Sequence, residues 1–403
     1  MALGTVRTAM LAVIFLLFFV IVSGEYKVEG RRSISEEEDF EFERQLRIVN
    51  KPAIKTIKTE HGDVYNCVDI YKQPAFDHPL LKDHKIQLPE GYWSRMKTMT
   101  SKPSKYGLME GCPLGTVPIR KITKKDLIRA KSVSQKYAEF NGRKEKGKCC
   151  EFAGFRTIKT PGRLYHGSGA NFNLYNPSVQ PGEFSSALIS IESGPPDEQK
   201  NYIQFGWTVN PILYGDTKTR LFALWTKDNM RTTGCFNTYC AGFVHINPNI
   251  PLDGVFTKIS EVQGRQFNVR LGVYQDNKTN DFNFVIGEKE EVIGYWPGNI
   301  FSTLTTANDF IYWGGQVYSP DSEIHSPQMG SGIWHDGWYQ ETCYFRRIIE
   351  LDATYKSEVP NNDYIQRFDT RCYYADDNSY KDDYWGYSFG FGGTGGSPHD
   401  CRR

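Results

Sequence analysis

The chain has 403 residues, of which 39% are hydrophobic, 24% charged and 14% aromatic, a composition too apolar and too aromatic for a disordered protein. With 48 Lys+Arg against 47 Asp+Glu the formal net charge is +1, so no global field draws it to nucleic acid or to an acidic membrane surface. The length allows about two domains with a real core, and 37 Gly, 24 Tyr and 25 Phe lean toward a β-rich extracellular fold.

Arg7 is the sole charge before Glu25, and Ala9 to Val22 is an unbroken apolar run of 14 residues. Val22 and Gly24 stand at the small −3 and −1 positions of a cleavage site, so residues 1–24 are expected to be a secretory signal peptide. The run is short of the ~20 residues needed to span a bilayer. The mature chain is therefore expected to engage no membrane and to be secreted, with the cell wall or a vacuole as possible destinations.

Residues 25–160 are expected to form a small mixed region. An acidic run, Glu36-Glu37-Glu38-Asp39, leads into a short helix over Phe40–Val49. Pro and turn signals crowd residues 61–120. Leu127, Ile128, Val133, Tyr137 and Phe140 give residues 124–141 the spacing of a weakly amphipathic helix. The basic stretch Arg143–Lys148 reads as a solvated loop or a processing site.

From about residue 165 to the end, 403, the texture changes to short alternating runs. Ile203, Phe205, Trp207 and Val209 share one face of a strand, with Gln204, Gly206 and Thr208 on the other. Phe267, Val269, Leu271 and Val273 repeat the pattern, as do Phe282, Phe284 and Ile286. In Phe310–Val317, Ile311, Trp313 and Val317 oppose Tyr312, Gly314 and Gln316. Strands without intervening helices predict an antiparallel β-sandwich, and the chain as a whole is expected to be mainly β. The Gly- and aromatic-rich tail Trp385–Gly396 is expected to pack as a strap.

No GxSxG, HExxH, P-loop or dinucleotide fingerprint occurs in a suitable context. His245, His325 and His335 form no evident triad. Nine cysteines follow residue 24; in a secreted chain they predict disulfides, with an odd thiol left over. There is no CxxC and no His pair at i, i+4, so no metal site and no cofactor are expected. Asn277-Lys278-Thr279 is the usable glycosylation acceptor.

One series of motifs is far more specific. Gly206-Trp207-Thr208-Val209-Asn210-Pro211 runs on to Tyr214-Gly215-Asp216, Arg220–Thr226, Gly234-Cys235-Phe236-Asn237 with Cys240, and Gly242-Phe243-Val244. Then come Gly294-Tyr295-Trp296-Pro297, Trp313-Gly314-Gly315 and Met329-Gly330-Ser331-Gly332. In this order they resemble the plant neprosin family, which is similar to glutamic endopeptidases cleaving near proline. Gln73–Leu80 and Gly111–Arg120 resemble its activation peptide. The resemblance implies a secreted proprotein whose sandwich carries a cleft with two facing glutamates, one ionised to activate water and one protonated to donate. It also carries most of the weight for disulfides Cys235–Cys240 and Cys67–Cys112. Cys372–Cys401 is expected to strap the tail, and Cys343 to stay a buried thiol; Cys149 and Cys150 are left unassigned.

At both acid positions this chain departs from the pattern. Gln204 stands two residues before Gly206-Trp207, and Gln316 follows Trp313-Gly314-Gly315. A glutamine can hydrogen-bond a substrate or an oxyanion, but it cannot titrate and so is neither general acid nor general base. The resulting expectation is a glutamic-peptidase-fold protein of little or no activity that binds extended peptides, including proline-containing ones, in a cleft lined by Trp207, Tyr214 and Trp313. Two alternatives stay open. One is an active prolyl-type endopeptidase using another acid, with Glu192, Asp216 and Glu323 as candidates, each expected to be a turn or surface group. The other is a wall-glycan-binding sandwich, which would show exposed Trp and Tyr in a row on one sheet.

Overall fold

The computed structural model describes residues 35–99, 108–142, 150–195, 199–305, 308–322, 324–334, 339–397 and 401. The expected signal peptide lies outside them. The chain divides into two compact units, 1–43 and 44–403. Helix α1 (Glu36–Val49) opens on a capping box: Glu38 N–H donates to Ser35 Oγ, and Glu38 Oε2 accepts from Ser35 N–H. The rest of the account concerns the second unit.

Its first part is a three-stranded antiparallel sheet of β1 (Ala53–Lys58), β2 (Val64–Asp69) and β3 (Thr116–Arg120). Helices α2 (Tyr92–Met99) and α3 (Lys124–Gly142) accompany it. Of the apolar positions expected to set the inner face of α3, Leu127, Val133 and Tyr137 are buried, whereas Ile128 is exposed. The disulfide Cys67–Cys112, with α-carbons 5.4 Å apart, ties β2 to the loop before β3.

Two further sheets form a sandwich. One contains β4 (Cys150–Thr157), β6 (Phe184–Ser193), β7 (Asn201–Val209), β8 (Thr219–Thr226), β9 (Cys235–Phe236), β14 (Phe310–Tyr318) and β17 (Ile365–Phe368), in the order β17-β4-β14-β6-β7-β8-β9. The other runs β10-β13-β12-β11-β5-β15-β19-β18, with β16 (Ser357–Glu358) on β15. Its strands are β5 (Gly167–Asn173), β10 (Val244–His245), β11 (Asn268–Gln275), β12 (Phe282–Ile286), β13 (Glu291–Trp296), β15 (Cys343–Leu351), β18 (Tyr374–Tyr380) and β19 (Tyr387–Gly392). All pairings between named strands are antiparallel. The sandwich begins earlier than the sequence suggests. Residues 150–157 were expected in the preceding region, yet β4 pairs with β14 over seven positions, from Tyr312↔Arg156 to Tyr318↔Cys150, because β14 would otherwise end the sheet with an open ladder.

The odd-numbered residues of β7 and β14 face the other sheet, where Ile203, Phe205, Trp207, Ile311, Trp313 and Val317 join the main core. Bridges Cys235–Cys240 and Cys372–Cys401 have α-carbons 5.9 and 5.0 Å apart, within the reach of a disulfide. Cys343 is a buried free thiol. Cys149 lies outside the described residues.

The three-stranded region packs on one end of the sandwich. Val68, Ile70, Val117 and Ile119 form a cluster with Val244, Ile246 and Tyr295, covering the edge that β10 would expose. Gln73 completes that edge as a strand would. Its Nε2 donates to His245 O at 2.9 Å and its Oε1 accepts from His245 N–H at 2.7 Å.

A buried ionic junction completes the interface. Arg220, 0% exposed, forks onto both oxygens of Asp63 at 2.8 and 3.1 Å and reaches Asp216 at 2.6 Å. Arg120 pairs with Asp63 at 3.0 Å, and Tyr65 donates to Asp253 at 2.8 Å. Removing one partner of such a group strands the others without water. Arg220→Ala is therefore expected to destabilise the protein by ~3–5 kcal/mol, read as a fall in the denaturant midpoint. Asp216→Ala, at the half-exposed end, should cost much less.

Candidate active site

The even-numbered residues of the seven-stranded sheet form the face opposite the core. The register gives it three cross-strand rows. Gln316, Ser186 and Thr208 form one; Gly314, Leu188, Gly206 and Phe222 the next; Tyr312, Ser190, Gln204 and Leu224 the third. Gln204 and Gln316 thus share one face of one sheet, with β6 between their strands and four residues of offset along it. At ~4.8 Å per strand and ~3.3 Å per residue their α-carbons are roughly 16 Å apart. The two amides do not hydrogen-bond each other; a bound group would have to span the interval. The row between them carries little side-chain bulk. A Cβ on Gly206 would lie 2.0 Å from Ala187 O, so only glycine lets β6 and β7 approach this closely.

Each glutamine has its own setting. Gln204 Nε2 donates to Ser190 Oγ at 3.4 Å, and Ser190 donates to Glu192 Oε1 at 2.9 Å. Gln204 Oε1 is buried and accepts no hydrogen bond among the described residues. Such an oxygen is costly to leave unmade and suits an incoming N–H donor. Gln316 is 1% exposed and is approached by the hydroxyl of Tyr137 at 3.5 Å, a long contact.

Tyr137 belongs to α3, and through it the helix covers this face. Its ring stacks on Phe184 with centroids 5.5 Å apart and meets Phe236 edge-on at 5.2 Å. Phe184 in turn stacks on Tyr318 at 5.5 Å. Next to it on the helix, Lys136 Nζ donates to the Tyr318 hydroxyl at 3.0 Å, and about two turns earlier Arg129 lies within 3.5 Å of Tyr214 O. Burial pushes the Tyr137 hydroxyl well above its ordinary range, so it stays protonated.

Among the acids considered as replacements, Glu192 stands on this face. It is not the turn or surface group expected but a buried residue of β6, 7% exposed. Burial opposes its charge, but Lys200 at 2.9 Å and Arg156 at 2.7 Å overcome that and bring it down to about 2. A carboxylate so held stays ionised and is a poor proton acceptor. Asp216 is committed to Arg220 in the ionic junction, and Glu323 lies outside the described residues.

The three aromatic residues expected to line the cleft do not. Trp207 and Trp313, 0% and 1% exposed, point between the sheets, where their indole N–H groups donate to Asn173 O at 2.9 Å and Ser168 Oγ at 2.8 Å. The two-residue period that turns Gln204 and Gln316 outward necessarily turns these inward. Tyr214, on the short helix α4 (Pro211–Tyr214), is buried in the junction. Its ring lies 5.0 Å from the Arg220 guanidinium carbon, and its hydroxyl accepts from Asn237 at 2.9 Å. The residues around the glutamines are instead Ser190, Glu192, Tyr312, Phe184 and Tyr137. Alternation along Phe184–Ser193 would have found the β6 members; nothing local marks Tyr137. Asn277 is exposed in the turn after β11. Among the described residues no group of three or more His, Cys, Asp or Glu could hold a metal.

The low value of Glu192 has a pH signature. A carboxylate depressed on folding stabilises fully above its ordinary 4.5 and loses that contribution as pH falls through about 2. Glu192→Gln is expected to cost roughly 3 kcal/mol at neutral pH and almost nothing near pH 2, measured as unfolding free energy against pH.

Two family models match the chain: Neprosin over residues 181–394 and Neprosin activation peptide over residues 56–153. Among solved structures, scytalido-glutamic peptidase with a peptide-based transition-state analog is 11% identical. It aligns over 60% of this chain and 97% of its own, with a TM-score of 0.33. A β-porphyranase from the human gut bacterium Bacteroides plebeius is 9% identical over 42% of this chain and 65% of its own, with a TM-score of 0.21. The neprosin match spans more than half of the chain, across both sheets of the sandwich, and the protein belongs to the neprosin family.

Proposed function

We propose that this protein is a secreted, latent member of the neprosin family that binds extended peptides and has little or no endopeptidase activity. The carrying observation is the chemistry of the face bearing Gln204 and Gln316. Both positions are amides, and the neighbouring carboxylate, Glu192, is held ionised by Arg156 and Lys200. Such a face can bind a peptide but has no pair of groups whose proton affinities are split between donor and acceptor. Gln204 Oε1, buried without a donor, supports recognition of a backbone N–H. The slot between Phe184 and Phe236, filled by Tyr137, supports a ring-shaped side chain, proline included.

Latency is supported by α3. As long as Tyr137 fills the slot and Gln316 is sealed beneath it, a peptide cannot lie along the face. Three disulfides support an oxidising compartment. No helix among the described residues is long and apolar enough to cross a membrane.

Tyr137→Ala is expected to uncover the face. Binding of proline-containing peptides, followed by calorimetry, should strengthen at least tenfold while the fold is retained. The catalytic part of the reading is tested in the same uncovered background. Endopeptidase activity at acidic pH should be near the uncatalysed level, and Gln204→Glu with Gln316→Glu should raise it ~10²-fold or more. Cleavage by the uncovered parent protein, abolished by Glu192→Gln, would overturn the inactive reading.

A further inference from the structure

On the opposite side of the sandwich, the outer face of the other sheet carries an aromatic concavity. Tyr344 of β15, Gly390 of β19 and Asp376 of β18 form one cross-strand row. The middle member has no side chain. A Cβ there would come within 2.8 Å of Thr342 Cγ2 and 3.0 Å of Asp376 Oδ1. Thr342 and Asp376 thus close in over Gly390, and a hollow of about 210 Å³ lies beside them, with the Tyr344 ring and the Asp376 carboxylate in its lining.

Rings wall the hollow in an unusual way. Trp385 is met edge-on by three tyrosines: Tyr339 at 5.4 Å and 65°, Tyr344 at 5.1 Å and 73°, and Tyr384 at 5.7 Å and 86°. Of these rings Tyr339, Tyr344 and Trp385 line the hollow. Tyr339 is 48% and Tyr384 63% exposed. Leaving this much ring surface in water forgoes burial energy, and grouped exposed aromatics mark binding surfaces.

The polar groups in the same hollow decide what it would bind. Asp376 offers acceptors, and the Lys381 ammonium, fixed 3.1 Å from Ser388 Oγ, offers donors. One acid and one base leave no net charge to select an ion. A neutral ring with an apolar face and hydroxyls around its rim matches the set: the face stacks on the aromatic wall, and the hydroxyls hydrogen-bond to Asp376 and Lys381 alongside their existing partners. The volume suits one such ring.

We propose that this hollow is a carbohydrate-binding site that takes a single neutral pyranose unit of a polysaccharide. It is built on the sheet remote from Gln204 and Gln316 and does not depend on the peptide reading of that face. Binding would hold the secreted protein on a polysaccharide matrix by one side and leave the other side free.

The test is native affinity electrophoresis of the full chain through gels containing soluble neutral glucan, xylan, mannan or galactan. Retardation by at least one of them is expected. Trp385→Ala should weaken it at least tenfold. Tyr339→Ala, at an exposed ring outside the core, should weaken it with no change in thermal midpoint. Gln204→Ala should leave it unaltered. Absence of retardation in all four gels would overturn the proposal, as would equal retardation of parent, Trp385→Ala and Tyr339→Ala. So would capture of a proline-rich peptide, rather than any polysaccharide, through Trp385.

Discussion

The burial of Trp207 and Trp313 between the two sheets fixes the side of each strand left over for chemistry. Each indole is anchored by a hydrogen bond to β5 or its end, at Asn173 O and Ser168 Oγ. Neither strand can slip by one residue without bringing an indole to the surface and a glutamine into the core. Gln204 and Gln316 owe their shared face to that constraint. The same packing places Ser190 beside Gln204 and Ser186 beside Gln316, since β6 lies between β7 and β14 with its even residues in register.

The face so defined carries hydrogen-bonding amides and a carboxylate held in one charge state. Ser190 donates to Glu192 and receives from Gln204, which orients the amide and leaves its oxygen as the acceptor on offer. Arg156 and Lys200 hold Glu192 ionised, so it does not titrate near neutral pH. A carboxylate at position 204 would work against this arrangement, because a second buried negative charge this near to Glu192 would compete for the same cations.

The region before the sandwich is not an appendage. It closes the β10 edge through Gln73, shares Arg220 through Asp63, and reaches the glutamine face through Tyr137. These are three different kinds of contact: ladder-like hydrogen bonds, a buried ion pair and ring stacking. Separating the region would thus expose a strand edge, strand an arginine and empty an aromatic slot. Covering of the face and stability of the fold are coupled through one interface.

The order of the motifs and the period-2 pattern were legible in the chain, because both are local: Gly206-Trp207 and Trp313-Gly314-Gly315 carry their meaning in sequence, and alternation alone sorts Ile203 from Gln204. The mainly β fold, the helix over residues 124–142 and the buried thiol of Cys343 followed from patterns of that kind, with the disulfide partners resting on the family's motifs or on the tail's composition. The tertiary structure alone decided what surrounds the glutamines. Tyr137 is 179 positions from Gln316, and nothing near it in sequence says that its ring fills a slot on another region. Trp207, Trp313 and Tyr214 looked like cleft residues because aromatic rings serve clefts and cores equally well. The period that turns the glutamines outward already turns the two tryptophans inward, whereas the place of Tyr214 in the ionic junction came only from the fold. Glu192 could be read as a surface acid until Arg156 from β4 and Lys200 from the following loop were brought onto it. Sequence determines which side chains share a face; the charges and rings that meet on that face arrive from distant parts of the chain, and only folding brings them there.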